Sequence, residues 1–280
     1  MTRDPDKPDP RLSEIFTDRP PVSRSIAIYV RSLVFNVLFY ANLTCHMIAA
    51  LPTFALPYPF LRAFIRSYAL TSLWLLRVVC GTKVEWRGTD KIPKGACIVA
   101  CKHQSLWETF SLYAVLDDPV YVLKRELMWV PLFGWYMWKA GLIPIDRSAG
   151  MAALARMTVR AQRALAGRYP RQLVIFPEGT RRSPGAEPSY KPGIVYLYDR
   201  IGLPCVPLAL NSGLFWPRRS LRRLPGTIVA EVLQPIPPGL DKDTFFKRLQ
   251  DTIEQASARL LRQSGVKDRE SENGRGVSHH

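Results

Sequence analysis

Acidic residues are scarce in this chain, and one long stretch has no charge of either sign. Asp plus Glu number 23 against 39 Lys plus Arg, a formal net charge of +16. That surplus suits anionic lipid headgroups, acidic carrier proteins or nucleic acid, and by itself it does not choose among them. The five cysteines, Cys45, Cys80, Cys97, Cys101 and Cys205, are an odd number scattered through apolar surroundings. This excludes the disulfide framework of a small secreted domain and points to a reducing compartment. No Gly-x-Ser-x-Gly elbow is present, so a hydrolase-type serine nucleophile is not signalled. There is no internal repeat, Gly/Ser linker or long low-complexity tract. Histidine is nearly absent: of four, His279 and His280 end a polar tail and His46 lies in an apolar run, which leaves His103 as the residue that acid–base chemistry could use.

From Ser32 to Leu61 there is no Asp, Glu, Lys or Arg, and Leu, Ala, Phe, Val and Ile dominate. A run of that length belongs in or on a bilayer. The preceding residues are too long, too mixed in charge and too rich in proline for a cleaved signal peptide. Asn36, Asn42 and His46 dilute the run, and Pro52, Pro57 and Pro59 break any helix that enters near Ser25. A second apolar stretch, Phe60 to Cys80, carries Arg62, Arg66 and Arg77, so both flanks are basic and orientation is not fixed by charge. A membrane-embedded, re-entrant or interfacial helical hairpin over 25–80 accounts for this, with a polar segment at 1–24; a buried hairpin in a soluble protein is the alternative.

From Gly81 onward short β-prone runs alternate with helical patterns. The expected strands are 82–87, 96–101, 120–124, 142–146, 172–176, 203–210 and 228–233, mostly apolar throughout and therefore buried on both faces. Residues 106–116, 150–167 and 241–263 show helical spacing. The fold class is α/β, a mostly parallel central sheet flanked by helices, with the catalytic domain at 81–240, a C-terminal helix at 241–263 and a disordered tail at 264–280.

His103 follows a buried strand, at the edge of an α/β sheet where reacting groups gather, and Glu108 stands five residues on. An imidazole beside a carboxylate is a general base with its orienting partner. Ser105-Leu106-Trp107-Glu108 also matches a helix capping box, and the two readings are compatible. The strand ending at Phe176 runs into Pro177-Glu178-Gly179-Thr180-Arg181-Arg182 at the same edge. Arg181 can fork onto phosphate, Gly179 lets the backbone turn closely about a ligand, Thr180 offers a hydroxyl, and Glu178 can hold an arginine in place. Lys124-Arg125, Asp146-Arg147 and Lys191 add cations at further strand ends. Cys97, Cys101 and His103 lack a fourth ligand and are read as no metal site. The aromatic stretch 128–140 reads equally as core, interfacial patch or acyl-chain channel. The Arg218, Arg219, Arg222 and Arg223 cluster has no nucleic-acid motif beside it, so an anionic lipid or acidic donor carrier is the preferred partner.

In this order, His103 to Glu108, Gly141-Leu142-Ile143-Pro144-Ile145-Asp146-Arg147, Phe176 to Arg181 and Val206-Pro207 resemble the four blocks of the 1-acylglycerol-3-phosphate acyltransferase family, and Lys124-Arg125-Glu126-Leu127 resembles its additional basic element. The resemblance covers about 81–210. One departure is Glu108, where most members carry Asp. The resemblance implies an enzyme at the cell membrane, catalytic domain on the cytoplasmic side, that acylates the sn-2 hydroxyl of a lysophospholipid. The donor is acyl-CoA or acyl-carrier protein, and neither cofactor nor metal is required. His103 and Glu108 form the catalytic pair, and Lys124, Arg147 and Arg181 hold the acceptor phosphate. A different lysolipid acceptor, such as a lyso-ornithine lipid, and a non-catalytic lipid-binding protein are the competing readings.

Overall fold

The computed structural model describes residues 22–146, 150–167 and 170–273. Helix α1 (Val22–Ala49) is followed by a 3-10 turn (Leu51–Phe54) and helix α2 (Tyr58–Leu75), which widens into a π-turn (Leu76–Cys80) before the first strand. The prolines act as expected: Pro52 sits in the turn and Pro57 precedes α2, where a missing N–H costs nothing. Ser25–Ala49 and Tyr58–Cys80 are both long and apolar enough to cross a membrane. Their outer faces are bare hydrocarbon, with Leu33, Val37 and Trp74 each about 60% exposed.

Seven strands follow: β1 (Thr82–Arg87), β2 (Cys97–Cys101), β3 (Pro119–Lys124), β4 (Ile143–Ile145), β5 (Gln172–Ile175), β6 (Cys205–Leu210) and β7 (Gly226–Val232). They form one sheet in the order β1-β7-β6-β2-β5-β3-β4. Every pairing is parallel except β6 with β7. The central strands are buried on both faces because side chains of alternate residues enter different cores. Ile98 and Ala100 join a core with the helices α5 (Gly150–Leu165), α6 (Gly193–Ile201) and α8 (Lys242–Asn273), through Met157, Ile194 and Leu249. Cys97, Val99 and Cys101 face the other way, toward the short helices α3 (Glu108–Ser111) and α7 (Ser212–Phe215) and toward Phe35 and Phe39 of the hairpin.

The strand pattern in the sequence reproduces these elements to within a few residues, while two helical expectations are corrected and two helices were not expected. The helix expected over 106–116 shrinks to the single turn α3 followed by a 3-10 turn (Leu112–Ala114), because the backbone on either side closes onto carbonyls three residues back, Thr109 N to Leu106 O and Val115 N to Leu112 O. Helices α4 (Phe133–Lys139) and α6 lie in stretches that carried no helix expectation. Their Trp, Tyr, Val and Ile content depresses helix propensity, and tertiary packing overrides it. The C-terminal helix runs to Asn273 rather than stopping before a disordered tail at 264, since no proline interrupts it and the single Gly265 does not suffice to end it.

The hairpin is fastened to the sheet domain at both ends. Near its base, Asn36 accepts from Arg223 Nη2 at 2.8 Å and donates to Leu221 O at 2.8 Å, while Ser32 Oγ accepts from Arg223 N at 2.8 Å. At its tip, Tyr58 donates to Asp118 at 2.6 Å, Arg171 pairs with Asp118 at 2.9 Å and also donates to Ala140 O, and Tyr136 donates to Met47 O at 2.6 Å. Asp118 is 3% exposed, so its charge depends on these partners. Arg171→Ala is expected to cost about 3 kcal/mol of stability, the penalty for stranding a buried carboxylate, measured as a loss in thermal or denaturant unfolding. A change within about 0.5 kcal/mol, the size of an ordinary surface substitution, would exclude this account of the tip.

Candidate active site

β2 ends at Cys101, and the next two residues leave on opposite sides of the sheet. Lys102 continues the face of Ile98 and Ala100, while His103 continues the face of Val99 and Cys101 toward the hairpin. His103 Nδ1 lies 2.9 Å from Glu108 Oε1. Glu108 is wholly buried and is saturated with donors. Oε1 accepts from Gln104 N at 2.6 Å and Ser105 N at 2.7 Å, and Oε2 from Ser105 Oγ at 2.7 Å and Ser212 Oγ at 3.0 Å. The carboxylate thus completes half of the capping box, by accepting from Ser105 N, and also holds the imidazole. Burial pushes the Glu108 carboxyl up, but the hydrogen bond and charge of His103 and the two bonds from Ser105 outweigh it and hold the group below its usual range. An ionised carboxylate can only accept, so Nδ1 donates and Nε2 is the free base.

The ring is also held flat. His103 stacks on Phe176 with centroids 4.0 Å apart and planes at 17°. Its carbonyl accepts from Arg182 N at 2.8 Å, which ties the two motif loops together. The second loop turns at Gly179, whose φ of +67° is a conformation that L side chains rarely adopt. Gly179, Thr180 and Arg181 line the same cavity as His103, and Lys124 at the end of β3 joins them. That cavity measures about 570 Å³, and beyond this polar end its walls are apolar and aromatic, from Tyr121 and Met137 to Leu61 and Tyr68 of the hairpin.

Of the expected site residues, one is not described and one stands elsewhere. Arg147 falls outside the described residues. Glu178 does not hold an arginine and does not face the cavity. It is 1% exposed, bonds Lys102 Nζ at 2.9 Å and accepts from His103 N at 3.3 Å. The turn at Gly179 separates Glu178 from Thr180 and Arg181, so the carboxylate points inward while its neighbours reach the cavity. Arg125, adjacent to Lys124, is paired with Asp146 at 3.1 Å. Ser212 carried no signal in the sequence: a lone Ser after a strand has no spacing that ties it to an acid more than a hundred residues earlier. The stretch 128–140 divides between two of its readings. Tyr136 and Met137 line the cavity, whereas Trp129 and Trp138 are 81% and 76% exposed.

Comparison with known proteins bears on this arrangement. The Acyltransferase family profile matches residues 83–211. Over 167 residues the chain is 38% identical to a Pseudomonas aeruginosa 1-acyl-sn-glycerol-3-phosphate acyltransferase, covering 60% of this chain and 64% of that protein. Over 205 residues it is 30% identical to the human 1-acyl-sn-glycerol-3-phosphate acyltransferase alpha, covering 71% of each. The matches therefore span somewhat under two thirds of the bacterial relative and 59% of one from Cocos nucifera. The crystal structure of the 1-acyl-sn-glycerophosphate (LPA) acyltransferase PlsC from Thermotoga maritima superposes with a TM-score of 0.68 at 19% identity, covering 82% of this chain and 97% of that one, so the fold is shared.

The depressed Glu108 carboxyl has a thermodynamic consequence. A group whose folded-state pKa lies below its unfolded value contributes stability that is present above the unfolded value, here near the ordinary 4.5, and is lost as the pH falls through the folded value. Glu108→Gln is therefore expected to flatten the acid side of the stability–pH curve below about pH 4.5 relative to wild type, measured by denaturant unfolding at a series of pH values. Parallel curves for the two proteins would remove Glu108 from the acid-linked stability.

Proposed function

This chain belongs to the 1-acyl-sn-glycerol-3-phosphate acyltransferase family, and on that premise we propose that it transfers a fatty acyl group from a thioester donor to the sn-2 hydroxyl of 1-acylglycerol-3-phosphate, making phosphatidic acid. The observation that carries this reading is the His103–Glu108 pair at 2.9 Å, set in the wall of an apolar cavity whose polar end holds Arg181 and Lys124. Nε2 of His103 removes the hydroxyl proton as the oxygen attacks the thioester carbonyl carbon. Glu108 stabilises the imidazolium that forms. Collapse of the tetrahedral intermediate breaks the C–S bond, and the proton on Nε2 passes to the departing thiolate. The products are the diacyl lipid and the free thiol, with His103 neutral again, and no covalent enzyme intermediate is needed. Arg181 and Lys124 hold the acceptor phosphate by charge-assisted hydrogen bonds. The apolar remainder of the cavity takes acyl chain.

The donor is acyl-CoA or acyl-carrier protein, and the reaction needs no cofactor. The basic surplus suits either donor and an anionic membrane surface. The hairpin tip touches the sheet domain through Tyr58, Tyr136 and Lys139, and the hairpin base touches it through Ser32 and Asn36. A spanning hairpin would carry its tip some 30 Å away into the opposite leaflet. This supports a hairpin lying within one leaflet, with the exposed Trp129, Trp135 and Trp138 at the headgroup level, where indole rings are favoured; the cytoplasmic face is the side that the family resemblance implies for the domain.

Two substitutions test the assignment. His103→Ala is expected to lower kcat by about 10²- to 10⁴-fold, the usual worth of general acid–base catalysis, with the KM for lysolipid changed little. Wild-type turnover in the purified variant would defeat the mechanism. Arg181→Ala is expected to raise the acceptor KM by about tenfold to a hundredfold with a smaller effect on kcat, as loss of a charged hydrogen bond requires. A radiolabelled panel of lysolipids with both thioester donors checks the acceptor. Acylation of a phosphate-free lysolipid as efficiently as the phosphate-bearing one, unaffected by Arg181→Ala, would replace the phosphate acceptor with another headgroup.

A further inference from the structure

On the reading that His103 is the base, we propose that Glu254, Tyr190 and Lys102 are positioning residues for it, so that the C-terminal helix α8 is part of the catalytic apparatus. Lys102 immediately precedes His103 and leaves β2 on the opposite face. Its ammonium is 3% exposed and lies between two carboxylates, Glu178 at 2.9 Å and Glu254 at 2.7 Å. Glu178 spans the two motif loops: Oε1 takes Lys102 and Oε2 takes the backbone N–H of His103. Glu254 comes from α8, beyond the stretch 83–211 that the family profile covers. Tyr190, in the loop before α6, donates to the same Glu254 oxygen at 2.9 Å, and Lys102 also lies 5.9 Å from the centre of its ring.

Burying a cation and an anion is expensive, and a one-to-one pair would satisfy the charge of Lys102. The second carboxylate has a mechanical consequence instead. It ties the Lys102 side chain to α8, on the face away from the cavity, and so holds the direction in which the backbone leaves β2. Because successive residues of an extended chain face opposite sides, anchoring Lys102 behind the sheet aims His103 in front of it. Glu108 sets the orientation of the ring, while Glu254 sets the position of the backbone that bears it. The helix is clamped firmly enough to act as an anchor, since Phe245, Leu249 and Ile253 are fully buried against the sheet.

Glu254→Gln keeps the shape and a hydrogen-bonding group but removes the charge that draws Lys102 back. In the full-length purified protein, assayed with 1-acylglycerol-3-phosphate and acyl-CoA, kcat is expected to fall about tenfold to a hundredfold, as for a slight misplacement of a catalytic group, while the acceptor KM stays within about twofold. A merely structural contact would lower the melting temperature and leave the kcat of the folded enzyme intact, and that result overturns the proposal. A rise in acceptor KM at unchanged kcat overturns it equally, because it would make Glu254 a determinant of binding. If Glu254→Gln does not fold, Tyr190→Phe carries the test. It deletes only the hydroxyl that donates to Glu254, and kcat is expected to drop about fivefold, the worth of one ordinary hydrogen bond, with KM again held. Absence of any transfer by the wild-type protein would instead count against the acyltransferase reading on which the proposal rests.

Discussion

The catalytic half of this molecule depends on one buried carboxylate. Glu108 has no contact with solvent, and an isolated charge there would be untenable. What makes it tenable is a set of five donors drawn from two regions of the chain: His103, Gln104 and Ser105 on one side, Ser212 on the other. Each donor is fixed by the anion as much as it fixes it. The loop after β2 cannot relax without breaking bonds to Glu108, and α7 cannot drift from α3 without releasing Ser212. Gly213 extends the tie, since its N–H donates to Gln104 Oε1 at 3.0 Å and a Cβ there would lie only 3.0 Å from the Gln104 side chain. Charge burial, loop conformation and the tautomer of the base are therefore one constraint.

The same constraint uses the full reach of a glutamate side chain. The side chain reaches back from the start of α3 to the backbone at 104 and 105 and to the ring at 103 together. α3 begins at Glu108 itself, and the N–H groups of Gln104 and Ser105 upstream of it converge on one carboxylate oxygen. The expected helix over 106–116 is cut to one turn by the three-residue hydrogen bonds that close on either side of it. Propensity and spacing describe what the backbone would do alone, whereas here the Glu108 side chain ties the loop before the helix to the ring at 103.

How much was legible in the sequence follows from the range of the interactions concerned. The sheet was, because Ile98 to Cys101 or Leu173 to Ile175 must be buried on both faces whatever surrounds them. The His103–Glu108 pair was, because five residues of separation is a local matter. Ser212 and Glu254 were not, because each acts across more than a hundred residues and neither stands out in composition from many other serines and glutamates. Glu178 was seen but assigned the wrong partner. Its sequence neighbours are arginines, and proximity along the chain suggested them, yet a turn at Gly179 sends the carboxylate inward to a lysine from another strand.

The division of labour between the two faces of the sheet gives the architecture its logic. On one face the ion cluster of Lys102, Glu178 and Glu254 joins the loop after β2 to α8, away from the hairpin. On the other, His103 opens onto a cavity whose walls are shared between the sheet domain and the hairpin, so the hairpin contributes to the chamber as well as to its apolar outer surface. For the proposed transfer, a base acting on the glycerol hydroxyl of a lysolipid needs both an apolar approach and a fixed charge nearby, and in one layer these demands conflict, since apolar surroundings penalise the charge. Here the strand separates them by a single peptide unit. The charges that position the backbone lie behind, the one charge that orients the ring is satisfied by five donors, and beyond the polar end at Arg181 and Lys124 the cavity is lined mostly by apolar and aromatic side chains.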